Sequence, residues 1–94
     1  MYAAIRRYEG VTDPTEATRR VSEGFLPLMR QTPGFVAYYW IDAGDGVMIS
    51  TSIFQDQAGA EESISKAADF VRDNLASLLP NPPQVTAGEV VASA

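Results

Sequence analysis

The side chains with chemistry to offer are few and unevenly placed. Arg6 and Arg7 stand side by side in an otherwise apolar opening segment. Tyr2 and Tyr8 share one parity around them, and Tyr38, Tyr39 and Trp40 are consecutive. Phe25, Phe54 and Phe70 add flat apolar rings. Among 94 residues there is no histidine and no cysteine. That excludes a Ser-His-Asp triad, histidine-ligated haem or zinc, thiolate nucleophiles, disulfides and iron–sulfur ligation. Two arginines in mid-strand cannot both face water. The inward one needs a partner, and Glu89 on a neighbouring strand is expected to provide an ion pair; the alternative is an anion site. Tyr38, Tyr39 and Trp40 must divide between the two faces of a strand, so at most two of them share a pocket. Asp42 and Asp45 lie too close for a calcium loop, and Gly44-Asp45-Gly46 precedes neither a lysine nor a helix, as a phosphate loop requires. No metal site and no cofactor is expected.

Seven Lys and Arg against twelve Asp and Glu give a net charge of −5. An acidic chain without a basic stripe is a poor partner for nucleic acid or an anionic membrane. No stretch approaches the ~18 apolar residues of a membrane span. Met1-Tyr2-Ala3-Ala4-Ile5 enters a strand at once, with no basic n-region before it, so a cytoplasmic location is expected. The length fits one domain, 1–94, which buries only about 60–65% of its unfolded surface.

Tyr2 to Glu9 reads as a strand closed by Gly10. Asp13, Pro14 and Glu16 form a helix start, with an acidic cap, a first-turn proline and a capping-box carboxylate. The helix should run to about Gln31, with Ala17, Val21, Phe25, Leu28 and Met29 on one face. Pro27 inside it, with Gly24 nearby, predicts a kink or break around Glu23 to Leu26. Phe35 to Ile41 is a second strand, Asp42 to Gly46 a turn, and Val47 to Gln55 a third strand, so the pair forms an antiparallel hairpin. Asp56 caps a second helix whose stripe is Ala60, Ile64, Ala67, Ala68, Val71, Leu75, Leu78 and Leu79, with Glu62 and Lys66 paired outside. Pro80-Asn81-Pro82-Pro83 ends it, and Gln84 to Ala92 is a last strand.

The order β-α-β-β-α-β with right-handed crossovers dictates an α+β, ferredoxin-like sandwich. Its four-stranded antiparallel sheet has strand order 4-1-3-2 and both helices on one face. By parity, the second strand shows Phe35, Ala37, Tyr39 and Ile41 on one side and Val36, Tyr38 and Trp40 on the other. The third shows Val47, Ile49 and Ile53 against Met48 and Phe54. Both faces are apolar, so whichever the helices leave bare predicts self-association of two sheets into a homodimer.

Over nearly its whole length this layout resembles the antibiotic biosynthesis monooxygenase-like domain of the dimeric α/β-barrel superfamily. The resemblance rests on Pro33-Gly34-Phe35-Val36 with Tyr38, the Asp42–Gly46 turn, and Phe54-Gln55-Asp56 leading into the second helix. It implies oxidation of a small aromatic or quinol substrate by O₂ without metal or flavin. The implied pocket lies between sheet and helices, with Arg6 and Tyr8 as polar groups and Phe25, Tyr38, Trp40, Phe54 and Phe70 lining it; Tyr39 and Arg7 are further candidates of the same kinds. In that chemistry an arginine stabilises a developing oxyanion. The haem-degrading branch is excluded, since the first strand has no asparagine and the second helix neither tryptophan nor histidine. The resemblance leaves a non-catalytic homodimeric ligand-binding or interaction module, or a lactone-type isomerase, as alternatives, because fold does not fix function.

Overall fold

The computed structural model describes residues 1–94. Strand β1 spans Tyr2–Tyr8, β2 Phe35–Gly44, β3 Val47–Phe54 and β4 Gln84–Glu89. They form one antiparallel sheet of order β2-β3-β1-β4, the 4-1-3-2 arrangement read from the other edge. The first helical arm is α1 (Pro14–Arg20), a π-helical turn (Val21–Phe25) and α2 (Leu26–Arg30). The second is α3 (Gln57–Phe70) continued by a π-helical turn (Val71–Leu75). No helix is long and apolar enough to cross a membrane.

The capping residues act as the sequence dictates. Asp13 accepts from the Glu16 amide at 3.1 Å and Asp56 from the Gly59 amide at 2.9 Å, satisfying N–H groups that a helix start leaves free. The capping box is only half made, because the Glu16 carboxylate turns outward to Arg19 and Arg20. Those partners, foremost the hydrogen bonds from Arg19, hold its carboxyl down at about 2 against an ordinary 4.5. A pKa lowered by folding contributes stability that is complete above about 4.5 and is lost as pH falls through about 2. Thermal melts of Glu16→Gln should therefore show it less stable than the parent above pH 4.5, with the difference closing as pH approaches 2. A gap that stays constant over that range would rule out the linkage.

The expected break in the first helix takes the form of the π turn. The Leu26 amide reaches back to the Val21 carbonyl, and the widened turn stands just where the Pro27 ring would collide with the preceding carbonyl of a regular helix. The hairpin turn is narrower than Asp42–Gly46. Strand β2 runs on to Gly44 through a bulge, leaving the two-residue loop Asp45-Gly46 with both residues at positive φ (54° and 75°). Asp42 accepts from the Gly44 amide at 2.9 Å, ordinary turn chemistry. The last strand ends at Glu89 rather than Ala92.

A second bulge, between Phe35 and Ala37, changes the expected face assignment. It lets Phe35 pack its ring on Phe54 at 5.8 Å, on the same side as Tyr38 and Trp40. The helix side of the sheet thus carries Ala4, Arg6 and Tyr8 from β1 and Met48, Ser50, Ser52 and Phe54 from β3, all buried. Against them pack Ala17, Val21, Phe25 and Met29 of the first arm, Ala60, Ala67 and Leu75 of the second, and Leu79 just beyond it. No helix covers the opposite face. There Ile5, Val36, Tyr39 (57% exposed) and Ile41 are open, and Ile49 and Ile53 half-buried.

Candidate functional site

Arg6 is the centre of the helix-side interior. The strand places it opposite Ser50 of β3, and its side chain is 2% exposed. Nη2 donates to Ser50 Oγ at 2.7 Å and Ser52 Oγ at 3.2 Å. Ser50 Oγ in turn donates to the Tyr38 hydroxyl at 2.8 Å. The Arg6 guanidinium carbon stands 5.9 Å from the centre of the Phe25 ring. Its Nε and Nη1 have no acceptor in the protein. The expected ion pair with Glu89 is not formed. Register sets Val85 beside Arg6 and Glu89 beside Tyr2, while Arg7, on the other face, pairs with Glu9 at 3.1 Å. A buried guanidinium is therefore left without a counter-charge, an arrangement that costs stability and needs a compensating role.

Two phenols flank the charge. Burial pushes the Tyr38 hydroxyl up to about 12, the Ser50 hydrogen bond and the Arg6 charge pulling the other way. Burial also raises Tyr8, again opposed by Arg6. Both hydroxyls keep their protons near neutrality, so neither serves as a base, and the Tyr38 oxygen accepts from Ser50.

Two spaces meet at Arg6 and Tyr8. The inner one, under the helices, is lined by Phe25, Tyr38, Trp40 and Phe70 among others, and its free volume is only about 10 Å³. Phe25 meets Tyr38 edge-on at 5.2 Å and Phe70 at 5.4 Å, and Tyr8 lies 6.0 Å from Trp40. These rings fill the interior with one another, leaving room for about one water. Gly24 makes this packing possible, since a Cβ there would come within 2.7 Å of the Phe70 ring. Trp40 ties the rim down, its indole N–H donating to Thr18 Oγ1 at 3.2 Å.

The outer space is a groove of about 240 Å³ between α3 with its π turn and the start of β4. Its walls are Ile64, Ala68, Val71, Pro83 and Val85, with Arg72 at the mouth. Arg72 is held by Asp69 and Asp73, so the charge facing the groove from within is that of Arg6.

Of the residues singled out from sequence, the structure gathers Arg6, Tyr8, Phe25, Tyr38, Trp40 and Phe70 around the inner space. Phe54 stands apart, fully buried against Phe35. Tyr39 opens to the bare face of the sheet. Ser50 and Ser52 were not singled out, although two small hydroxyls at inward positions between Met48 and Phe54 signal a buried polar partner. The groove walls carried no such signal.

No protein-family model matches the chain, and no curated protein matches it in sequence. Solved structures do match, and antibiotic biosynthesis monooxygenase-like proteins are among them, in accord with the resemblance and the fold expected from it. A protein of unknown function from Nitrosomonas europaea superposes with a TM-score of 0.78 at 25% identity, covering 99% of this chain and 91% of its own. A monooxygenase from Streptomyces coelicolor, solved with the ligand nanaomycin D, gives 0.68 at 19%, covering 98% and 92%. A variant of SnoaB, a cofactor-independent oxygenase from Streptomyces nogalater, gives 0.65 at 15%, covering 99% and 93%.

Proposed function

We propose that this protein is a homodimeric, monooxygenase-like protein that oxidises a small aromatic or quinol substrate with O₂ and no bound cofactor. The observation that carries the reading is the buried, uncompensated Arg6 guanidinium at the floor of an apolar groove, with protonated Tyr8 beside it. A fixed cation in a dry site favours the ionised form of a phenol or enol, and only that electron-rich form passes an electron to O₂ readily. For an anthrone the balance is a ring CH₂ and one O₂ giving a ring C=O and one water, so the substrate supplies all the electrons. The protein's part is to lower the cost of the anion, orient the ring and exclude bulk water. The bare apolar face of the sheet supports the homodimer.

Two observations favour a second reading, a non-catalytic ligand-binding module. The inner space is filled by the protein's own aromatic rings, and neither Tyr8 nor Tyr38 is poised as a base. Oxygen uptake with dithranol and 1,4-naphthohydroquinone separates the two. Turnover above the spontaneous rate is expected, falling by about 10²–10³-fold in Arg6→Gln. An uptake rate equal to that with an unrelated protein at the same concentration would overturn the oxygenase reading.

A further inference from the structure

We infer that the groove between α3 and β4 is a binding site for an aromatic anion, a flat ring system carrying a carboxylate or an already ionised enol, seated with its charged oxygens on Arg6. The inference extends the aromatic site proposed above, from which it takes the flat ring. The requirement for charge and the choice of groove are its own.

The charge requirement comes from counting donors and acceptors. Arg6 offers five N–H bonds. The two on Nη2 are taken by Ser50 and Ser52, while the one on Nε and the two on Nη1 find no protein acceptor. Serine hydroxyls satisfy hydrogen bonds but bring no negative charge, and no carboxylate pairs with Arg6. A neutral ligand, or a water in the inner space, could accept hydrogen bonds and would still leave the cation uncompensated. An anion does both, and a pair of opposite charges in such surroundings is worth far more than in water.

The choice of groove comes from size and lining. The inner space, at about 10 Å³, admits no ring, whereas the groove has about 240 Å³. Its walls offer two apolar surfaces facing each other across a slot, Ile64, Ala68 and Val71 on one side and Pro83 and Val85 on the other. Arg6 and Tyr8 border both spaces, so a ring held in the groove lies against these two residues without entering the packed aromatic cluster. The net charge of the protein, −5, works against anions at the surface, so selectivity depends on the buried guanidinium itself.

The test is equilibrium binding by calorimetry at pH 7, using 2-naphthoate and 2-hydroxy-1,4-naphthoquinone, which is ionised there, against the neutral 2-naphthamide and 1,4-naphthoquinone. Both anions should bind at least tenfold more tightly than their neutral counterparts. Arg6→Met should remove the preference. Ala68→Trp, which fills the groove from an exposed helix position and leaves Arg6 in place, should abolish binding of both anions. Equal affinity for naphthoate and naphthamide, or anion binding undiminished in folded Ala68→Trp, would overturn the proposal. Circular dichroism of each variant separates loss of the site from loss of the fold. Anion binding without oxygen uptake would leave this site standing while the oxygenase reading falls. Uptake of oxygen with no preference for anions would do the reverse.

Discussion

Tyr39→Lys is expected to turn the proposed dimer of 20.4 kDa, twice the chain mass of 10.2 kDa, into a monomer at micromolar concentration. Tyr39 is the most exposed large hydrophobic side chain in the sheet and stands on the face no helix covers, with Ile5, Ile41, Ile49 and Ile53 around it. Its exposure means that a lysine there has water to reach in the monomer, so the fold survives the change. In a face-to-face pairing the same position is buried twice, once from each protomer. Losing a central aromatic anchor costs about 2–4 kcal/mol per copy, so association weakens by about 10³–10⁶-fold over the two. Light scattering decides the matter. A parent protein at the monomer mass would remove the dimer altogether. A variant still at the dimer mass would move the interface to another surface.

The second large effect concerns Phe54, a site candidate by sequence that the structure places in the core. Its ring is 0% exposed and packs against Phe35 across the bulged start of β2. Truncation to alanine leaves a cavity that a sheet and a capped helix cannot close, at a cost of about 3–5 kcal/mol. For a domain of this size each kcal/mol lowers the melting temperature by about 4–8 °C, so a fall of about 12–40 °C is expected. Binding of 2-naphthoate, measured well below the melting point, should be unchanged. A loss of stability under about 1 kcal/mol would show the ring to be loosely held. Weakened ligand binding in the folded variant would return Phe54 to the site.

The elements were legible because their signals are local. Asp13-Pro14 and Asp56 start helices wherever they stand, and Asp45-Gly46 closes a hairpin by its own dihedral preferences. Alternation in β3 separated Met48 and Phe54 from Ile49 and Ile53 without any knowledge of neighbours. What sequence could not supply was register and offset. The bulge after Phe35 adds one residue and reverses that side chain's face, and nothing in Phe-Val-Ala marks it. The partner of Arg6 depended on whether Val85 or Glu89 came to lie beside it, a shift no composition rule resolves. Likewise the groove exists because α3 lies over β1 and β3 and leaves β4 uncovered, a matter of how one element seats on another.

The two π-helical turns have a consequence for the phase of each helix. One extra residue in a turn sets everything beyond it back by about 100° of rotation. Val21 and Phe25 fall in one such turn, Val71 and Leu75 in the other, and all four line the inner space. Removing one residue from either turn would regularise the backbone and swing the chain that follows by the same angle, carrying Met29 or Leu79 out of the core. Length in these two stretches is therefore under tighter constraint than residue identity: substitutions there change what the roof is made of, whereas a single deletion changes which way it faces.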